Sequence, residues 1–262
     1  MNFDQVIDFR AEGETFRGAV PEEWRQGRTA YGGATVAAAV RALRTMIPAE
    51  RALLQFSAQF VSVAGKDELE FVPVVLAQGS NVTSGLVTGY SEGRACLTVT
   101  AIFGAPRVSS KSVDVPPVEK AEPETLRKFP YIEGITPQFT KKIEYKLLKT
   151  TLPFSGSEPG VEGYCRHLTP CGSAEEATIG LLDAWPPAVL PMLEHPSPAS
   201  TISWSAHFFQ PPAHNLDDWW YYTAEPIRFK DGYATTQARL HAPDGSLAAW
   251  SEQLVAVFEK SG

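Results

Sequence analysis

An α+β chain of two tandem units, each with one long helix wrapped by a curved antiparallel sheet, is predicted from three observations. Residues 31–46 form a strongly helical and almost wholly apolar stretch. Four segments of strand-like alternation follow it. A helix and four strands then recur in the same order toward the C-terminus, which implies a duplicated unit.

Before the first helix, the acidic segment MNFDQVIDFRAEGETF has no apolar core of signal-peptide length, and Phe16 to Val20 is strand material. The helix YGGATVAAAVRALRTM sets Val36, Val40, Leu43 and Ile47 on one stripe. Ala34, Ala37, Ala38, Ala39 and Ala42 keep the other faces small, so the helix is expected to be mostly buried. Arg41 and Arg44 suit the negative end of the helix dipole, and Pro48 stops the run. Gly32 and Gly33 sit where unpaired N–H groups point forward and, lacking a Cβ, they admit another group to that positive end. A ligand oxygen and a closely packed neighbouring strand both satisfy that pattern.

Downstream, Leu54, Phe56, Ala58 and Phe60 alternate with Gln55, Ser57 and Gln59, a strand with one apolar face. Ala64 to Asp67 turn the chain into a strand from Glu68 to Leu76. Gln78 to Asn81 form the next turn, Thr83 to Ser91 the third strand, and Glu92-Gly93 a hairpin turn into Arg94 to Phe103. The stretch 105–137 carries Pro106, Pro116, Pro117, Pro123, Pro130 and Pro137 and reads as an extended linker. The expected organisation is therefore a first unit at 1–104, the linker at 105–137 and a second unit at 138–262.

In the second unit, strand material at Phe139 to Leu148 and Glu162 to Leu168 precedes a helical pattern from Ala174, with Ala177, Leu181 and Ala184 at helical spacing, broken at Pro186-Pro187. Ile202, Trp204, Ala206 and Phe208 then alternate with Thr201, Ser203, Ser205 and His207, copying the pattern of 54–60. A proline turn at Pro211-Pro212, strands at Trp219 to Glu225 and Tyr233 to His241, an Asp244-Gly245 turn and a last strand from Leu247 to Phe258 complete the repeat.

The formal charge is −7, and no cluster of Lys and Arg supplies the phosphate neutralisation that a nucleic-acid partner needs. No run of 18 apolar residues occurs, so no membrane span is expected. Three cysteines, Cys96, Cys165 and Cys171, in no framework pattern speak for reduced thiols and a soluble cytoplasmic protein. Cys165, His167 and Cys171 match no zinc spacing, so no metal is expected.

The order of these segments resembles the double hotdog acyl-CoA thioesterases. In the first half the resemblance rests on Tyr31-Gly32-Gly33, the small-residue helix, Pro48-Ala49-Glu50-Arg51, the long strand and Gln78-Gly79-Ser80-Asn81. In the second half it rests on Leu182-Asp183-Ala184-Trp185-Pro186-Pro187-Ala188-Val189-Leu190, on His207-Phe208, and on Pro243-Asp244-Gly245 leading to Ser251-Glu252-Gln253-Leu254. It implies two hotdog units joined edge to edge and hydrolysis of an acyl-CoA to free acid and CoA. It also implies no cofactor beyond the CoA of the substrate, and a homodimer or larger homo-oligomer.

Signatures of other enzymes fail: there is no G-x-S-x-G elbow, P-loop, G-x-G-x-x-G or H-E-x-x-H. Thioester hydrolysis on a hotdog needs a helix N-terminus to polarise the carbonyl and a polar group to orient water. Gly32 and Gly33 are the candidate donors, with Asn81, Thr83 and His207 as further substrate-binding candidates. The resemblance implies an acid on the long strand after the second helix, a nearby hydroxyl and a Gln on the last strand. The Gln falls on Gln253, the acid position on Ser203, and the hydroxyl in the unassigned stretch 225–230. Gln253 and Ser203 are thus the catalytic candidates. Asp183, Glu225 and Glu252 are the neighbouring carboxylates, Asp183 being read as a cap of the broken helix and Glu252 as facing away from Gln253.

Gln55 corresponds to Ser203 in the first half and, with Asn81 and Thr83, outlines a pseudo-symmetric second pocket. Trp204, Phe208, Phe209, Trp219, Trp220, Tyr221 and Tyr222 are expected to shape an acyl pocket. With no carboxylate at Ser203, a non-catalytic acyl-CoA or acyl-chain binding protein is the alternative expectation. A hydratase is a third reading, which lacks the Asp/His pair at suitable spacing.

Overall fold

A computed structural model describes residues 1–64, 68–119, 121–149, 151–209 and 218–259. The expected turn at 64–67 and the Pro211-Pro212 turn fall largely or wholly outside the described residues. The first half runs α1 (Phe3–Ile7), β1 (Arg10–Glu12), β2 (Thr15–Gly18), β3 (Arg25–Gln26), β4 (Thr29–Ala30) and α2 (Gly32–Arg44). Four long strands follow: β5 (Ala52–Phe60), β6 (Leu69–Gln78), β7 (Val82–Ser91) and β8 (Arg94–Gly104). The second half contains β9 (Arg127–Lys128), β10 (Ile143–Leu147), β11 (Val161–His167), α3 (Ala174–Leu182), β12 (Ala199–Phe208), β13 (Trp220–Lys230), β14 (Tyr233–His241) and β15 (Leu247–Val257).

All but β3 and β4 join one 13-stranded sheet in the order β1-β2-β6-β7-β8-β5-β12-β15-β14-β13-β11-β10-β9. The halves meet where β5 and β12 pair antiparallel, with Ser57 opposite Ser205 and Phe56 opposite Ala206. This central seam makes the two sheets continuous, so the α+β double hotdog expected from the sequence is the observed fold. The stretch 105–137 is more than a tether, because it contributes β9 to the edge of the second sheet, and its Val118 N–H donates to the Gly245 carbonyl.

The small residues of α2 explain its place. From Gly33 to Leu43 only Arg41 is not buried, as a helix enclosed by a curved sheet requires. α3 packs beside α2 in the opposite sense, since the start of α2 touches the residue that ends α3, and the end of α2 touches the start of α3. α3 stops at Leu182, four residues before the proline pair at Pro186-Pro187, and Pro191 is the middle residue of a short 3-10 turn, Leu190–Met192.

Inward positions along the central strands form the core: Phe56 and Ala58 on β5, Trp204, Ala206 and Phe208 on β12, and Trp220 and Tyr222 on β13 are all buried. Of the aromatic residues expected around an acyl pocket, Phe209 is exposed. Trp219 lies under the Arg166 guanidinium and donates to Glu124, outside the core.

Candidate active site

The junction where α2 begins and α3 ends gathers most of the polar groups of interest. The first α2 ladder bond runs from Thr35 N–H to the Tyr31 carbonyl, so the N–H groups of Gly32, Gly33 and Ala34 lie ahead of it. Gly33 N–H donates to Asp183 Oδ2 at 2.7 Å. A Cβ on Gly32 would stand 2.8 Å from that same oxygen, and one on Gly33 would stand 2.7 Å from the Tyr31 ring. The group admitted by the glycine pair is therefore a carboxylate from the other half of the chain. Tyr31 fixes the approach: it is fully buried, stacks on Phe139 at 3.9 Å, and its hydroxyl donates to the Gly180 carbonyl of α3.

Asp183 is the C-cap of α3, as read from the sequence, and its side chain does more than cap. Gln253 Nε2 donates to Asp183 Oδ1 at 2.9 Å, and Gln253 Oε1 accepts from the Thr201 hydroxyl at 3.3 Å. A chain Thr201, Gln253, Asp183, Gly33 N–H thus crosses from the inner face of the second sheet to the start of α2. Desolvation pushes the Asp183 carboxyl from 3.8 up to about 7, against the smaller opposing pull of the Gln253 and Gly33 hydrogen bonds. No ion-pair partner of Asp183 is found among the described residues.

Thr201 reaches this site through a β-bulge. The register of β12 against β15 shifts between Thr201 and Ser203, leaving Ile202 as the extra residue. Thr201 therefore pairs with Val255 and Trp204 with Gln253, while Ser203 pairs with Leu254. Bulges of this kind re-aim a side chain beside a site. Thr201 turns inward with Gln253, and Ser203 stays on the outward face with Ser205 and His207.

Sequence-based expectations for the site are sorted by this geometry. Gln253, Gly32 and Gly33 come together. Ser203, where the resemblance put the acid, does not join them: it alternates with the inward Trp204 and stays on the outward face, while the bulge re-aims Thr201 instead. His207 is exposed, with its ring 5.6 Å from that of Trp250 on the outward face, and Glu252 is exposed as expected. Thr83 is fully buried and accepts from Arg51 at the far end of α2, about 18 Å away by helix rise. Asn81 lies in the turn whose Gly79 and Ser80 carbonyls Arg51 also holds.

Missed from the sequence were the hydroxyl of Thr201 and the weight of Asp183. The available signal for Asp183 was a lone acid inside the apolar run Leu181-Leu182-Asp183-Ala184-Trp185. Among the described residues, no three His, Cys, Asp or Glu side chains gather as a metal site, and no helix is long and apolar enough to cross a membrane.

Fold and site together define a double hotdog protein with a carboxylate and an amide gathered at the start of α2. The chain belongs to the acyl-CoA thioesterase family: its N-terminal domain model matches residues 20–104 and its C-terminal domain model residues 114–257. No curated protein gives a significant sequence match. Among solved structures, a hot dog fold protein of unknown function from Alicyclobacillus acidocaldarius is similar at TM-score 0.87 and 21% identity, over 99% of this chain and 98% of that one. A provisionally assigned thioesterase II from Thermobifida fusca gives 0.85 and 18%, over 99% and 98%. The acyl-CoA thioesterase II TesB2 of Mycobacterium marinum gives 0.77 and 16%, over 99% of both chains.

Proposed function

We propose that the protein hydrolyses an acyl-CoA thioester to a free acid and CoA, with Asp183 as general base, Gln253 and Thr201 orienting the attacking water, and the start of α2 binding the carbonyl oxygen. One observation carries the reading: a carboxylate held by Gln253 at a helix N-terminus, with a pKa of about 7 that suits proton transfer at neutral pH. Water attacks the thioester carbon as Asp183 takes its proton. The tetrahedral oxyanion forms beside the N–H groups of Gly32 and Ala34, where the helix dipole favours negative charge, while Gly33 N–H keeps Asp183 in place. Collapse breaks the C–S bond, and the departing CoA thiolate takes back a proton equivalent to the one held by Asp183. CoA enters as part of the substrate, and the chain's own groups account for each proton movement.

Ser203 has no part in this scheme. Nor does the scheme need the loss of an acid, because Asp183 supplies one, and this favours a working enzyme over a non-catalytic binder. The test is release of CoA followed with a thiol reagent across a panel of acyl-CoAs and across pH. Turnover is expected, with log kcat/KM rising at unit slope to a plateau near pH 7, as the base form of Asp183 accumulates. Binding of acyl-CoA without release of thiol at any pH would support the binding protein instead.

A further inference from the structure

The start of α2 has a cover that comes from the first half of the chain. Phe56, Ala58 and Phe60 alternate along β5, the first two buried and Phe60 half-buried against the core at the end of the strand. Gln59 pairs with Ser203 across the seam, so Phe60 ends β5 at the level of the β12 bulge that turns Thr201 toward Gln253. Its ring reaches Gly32. A Cβ on that glycine would lie 3.3 Å from Phe60 Cζ, 3.5 Å from Phe60 Cε1 and 2.8 Å from Asp183 Oδ2. The apolar ring edge and the carboxylate oxygen thus converge on one point at the helix start.

The chain beyond Phe60 is tied down. Val61 and Ser62 N–H donate to the Cys96 carbonyl, and Ala30 N–H, just before α2, donates to the Ala64 carbonyl. Backbone bonds therefore hold Phe60 over the helix start. Ser57 faces Ser205 at the seam, which makes Phe208 the counterpart of Phe60 in the repeat. Phe208 is buried and its ring lies 5.9 Å from that of Phe56, whereas Phe60 is less enclosed and faces Gly32 and Asp183.

We propose that Phe60 is a positioning residue that acts through Asp183: its ring shuts bulk water away from the carboxylate and from the Gly32 end of α2. The proposal rests on the thioesterase reading above. Water beside a carboxylate stabilises its charged form, and an apolar ring in that place withholds this hydration. The titratable groups that face Asp183 are Tyr31 before α2, Tyr145 on β10 and Tyr222 on β13, each pushed further up by burial and so uncharged where Asp183 titrates. The acid limb of the pH profile therefore reports on Asp183.

The test compares the pH profile of kcat/KM for the wild type, Phe60→Ala and Phe60→Leu, using the acyl-CoA of the panel that the wild type cleaves fastest. Phe60→Ala admits water. Its plateau at pH 8 is expected to fall at least threefold as the base weakens, and the midpoint of its acid limb to move down by at least half a pH unit. Phe60→Leu keeps an apolar cover and is expected to return the midpoint to the wild-type value. A folded Phe60→Ala whose midpoint stays in place overturns the proposal even if its plateau falls, because lost packing alone lowers the whole profile together. Should that variant not fold, Phe60→Tyr sets a hydroxyl on the Cζ that faces Gly32 and Asp183. A donor there favours the carboxylate, so the midpoint should again move down, and an unmoved midpoint counts against the proposal. If no acyl-CoA releases thiol, the thioesterase reading fails, and a carbon-13 NMR titration of the Asp183 carboxyl then decides the cover separately. A lower midpoint in Phe60→Ala than in the wild type supports it; equal midpoints overturn it.

Discussion

The two helix junctions of this molecule are built on one plan and finished in opposite ways. Where α2 begins, Asp183 at the end of α3 meets Gly33 N–H and Gln253, and no cation faces it among the described residues. Where α3 begins, Glu175 meets Arg44 at the end of α2 in a multiply bonded ion pair, and its Oε1 also accepts from Leu53 N–H at 2.9 Å. Arg44 lies 4.5 Å over the Phe103 ring and donates to the Arg51 carbonyl.

The strands repeat the contrast. β5 bulges between Leu53 and Gln55, as β12 does between Thr201 and Ser203. Leu53 thus stands where Thr201 stands, and Ala101, opposite Phe56, stands where Gln253 stands opposite Trp204. One junction holds an acid without a compensating charge, and the other holds a neutralised pair among apolar residues. The two halves offer two equivalent places; the first stays polar and without an ion pair among the described residues, and the second serves as a clasp between the halves. The second pocket outlined by Gln55, Asn81 and Thr83 does not form there: Arg51 occupies Thr83 and the 79–80 carbonyls, while Gln55 donates to Ser57 on the outward face.

The sharpest break of this contrast is Asp183→Asn. It removes the base, and kcat/KM is expected to fall about 10³-fold, roughly 4 kcal/mol of transition-state stabilisation. Stability should move the other way. A carboxyl whose pKa is raised from 3.8 to about 7 keeps its proton in the folded state where the unfolded chain has released it. Its contribution is therefore present at low pH and is lost as pH rises through about 4 to 7. At pH 8 the wild type bears the whole penalty, and Asp183→Asn is expected to gain roughly 1–3 kcal/mol, a rise in Tm of several degrees. The Gln253 amide can turn over to match, since the Thr201 hydroxyl both donates and accepts. An inactive variant that melts lower than the wild type at pH 8 would place Asp183 in a merely structural role.

Gln253→Ala leaves the base in place and removes the group that holds it and links it to Thr201. A loss of at least tenfold, and about 10–100-fold, in kcat/KM is expected, and unchanged kinetics would remove Gln253 from the mechanism. At the other junction, Glu175→Gln leaves Arg44 without its charge partner. About 2 kcal/mol of stability should be lost, since stripping one member of an enclosed pair costs more than the pair contributes, while kcat/KM at 25 °C stays within twofold. A denaturant titration alongside the CoA assay separates the two junctions: activity falls at the first and stability at the second.

Much of this architecture was legible in the sequence because it follows from period. The stripe of Val36, Val40 and Leu43 marks α2, and the alternation through Phe56 and Trp204 marks the two central strands that pair at the seam. Gln253 was also legible, by its distance from the turn at Gly245. What escaped depends on contacts that no period encodes. Asp183 and Gly33 are 150 residues apart, and only the packing of α3 against α2 brings the carboxylate of a helix cap to the start of α2. The role of Thr201 escaped for a local reason, because the extra residue Ile202 reverses the parity of everything before it on β12.

That reversal yields the smallest expected effects and the most direct test of which serine or threonine belongs to the junction. Thr201→Val keeps the shape of an inward side chain and removes the donor to Gln253 Oε1, so kcat/KM should fall about 3–10-fold with KM little changed, the magnitude of one lost neutral hydrogen bond. Ser203→Ala changes a side chain on the outward face, beside Gln59 of β5, and should leave kcat/KM within twofold. The pair is informative because an unbroken strand would put both residues on one face. A Thr201→Val variant as silent as Ser203→Ala would mean that Thr201 shares the outward face with Ser203 and that the bulge does not hold in solution. The predicted order, Thr201 sensitive and Ser203 silent, follows from one inserted residue in the register of β12 against β15.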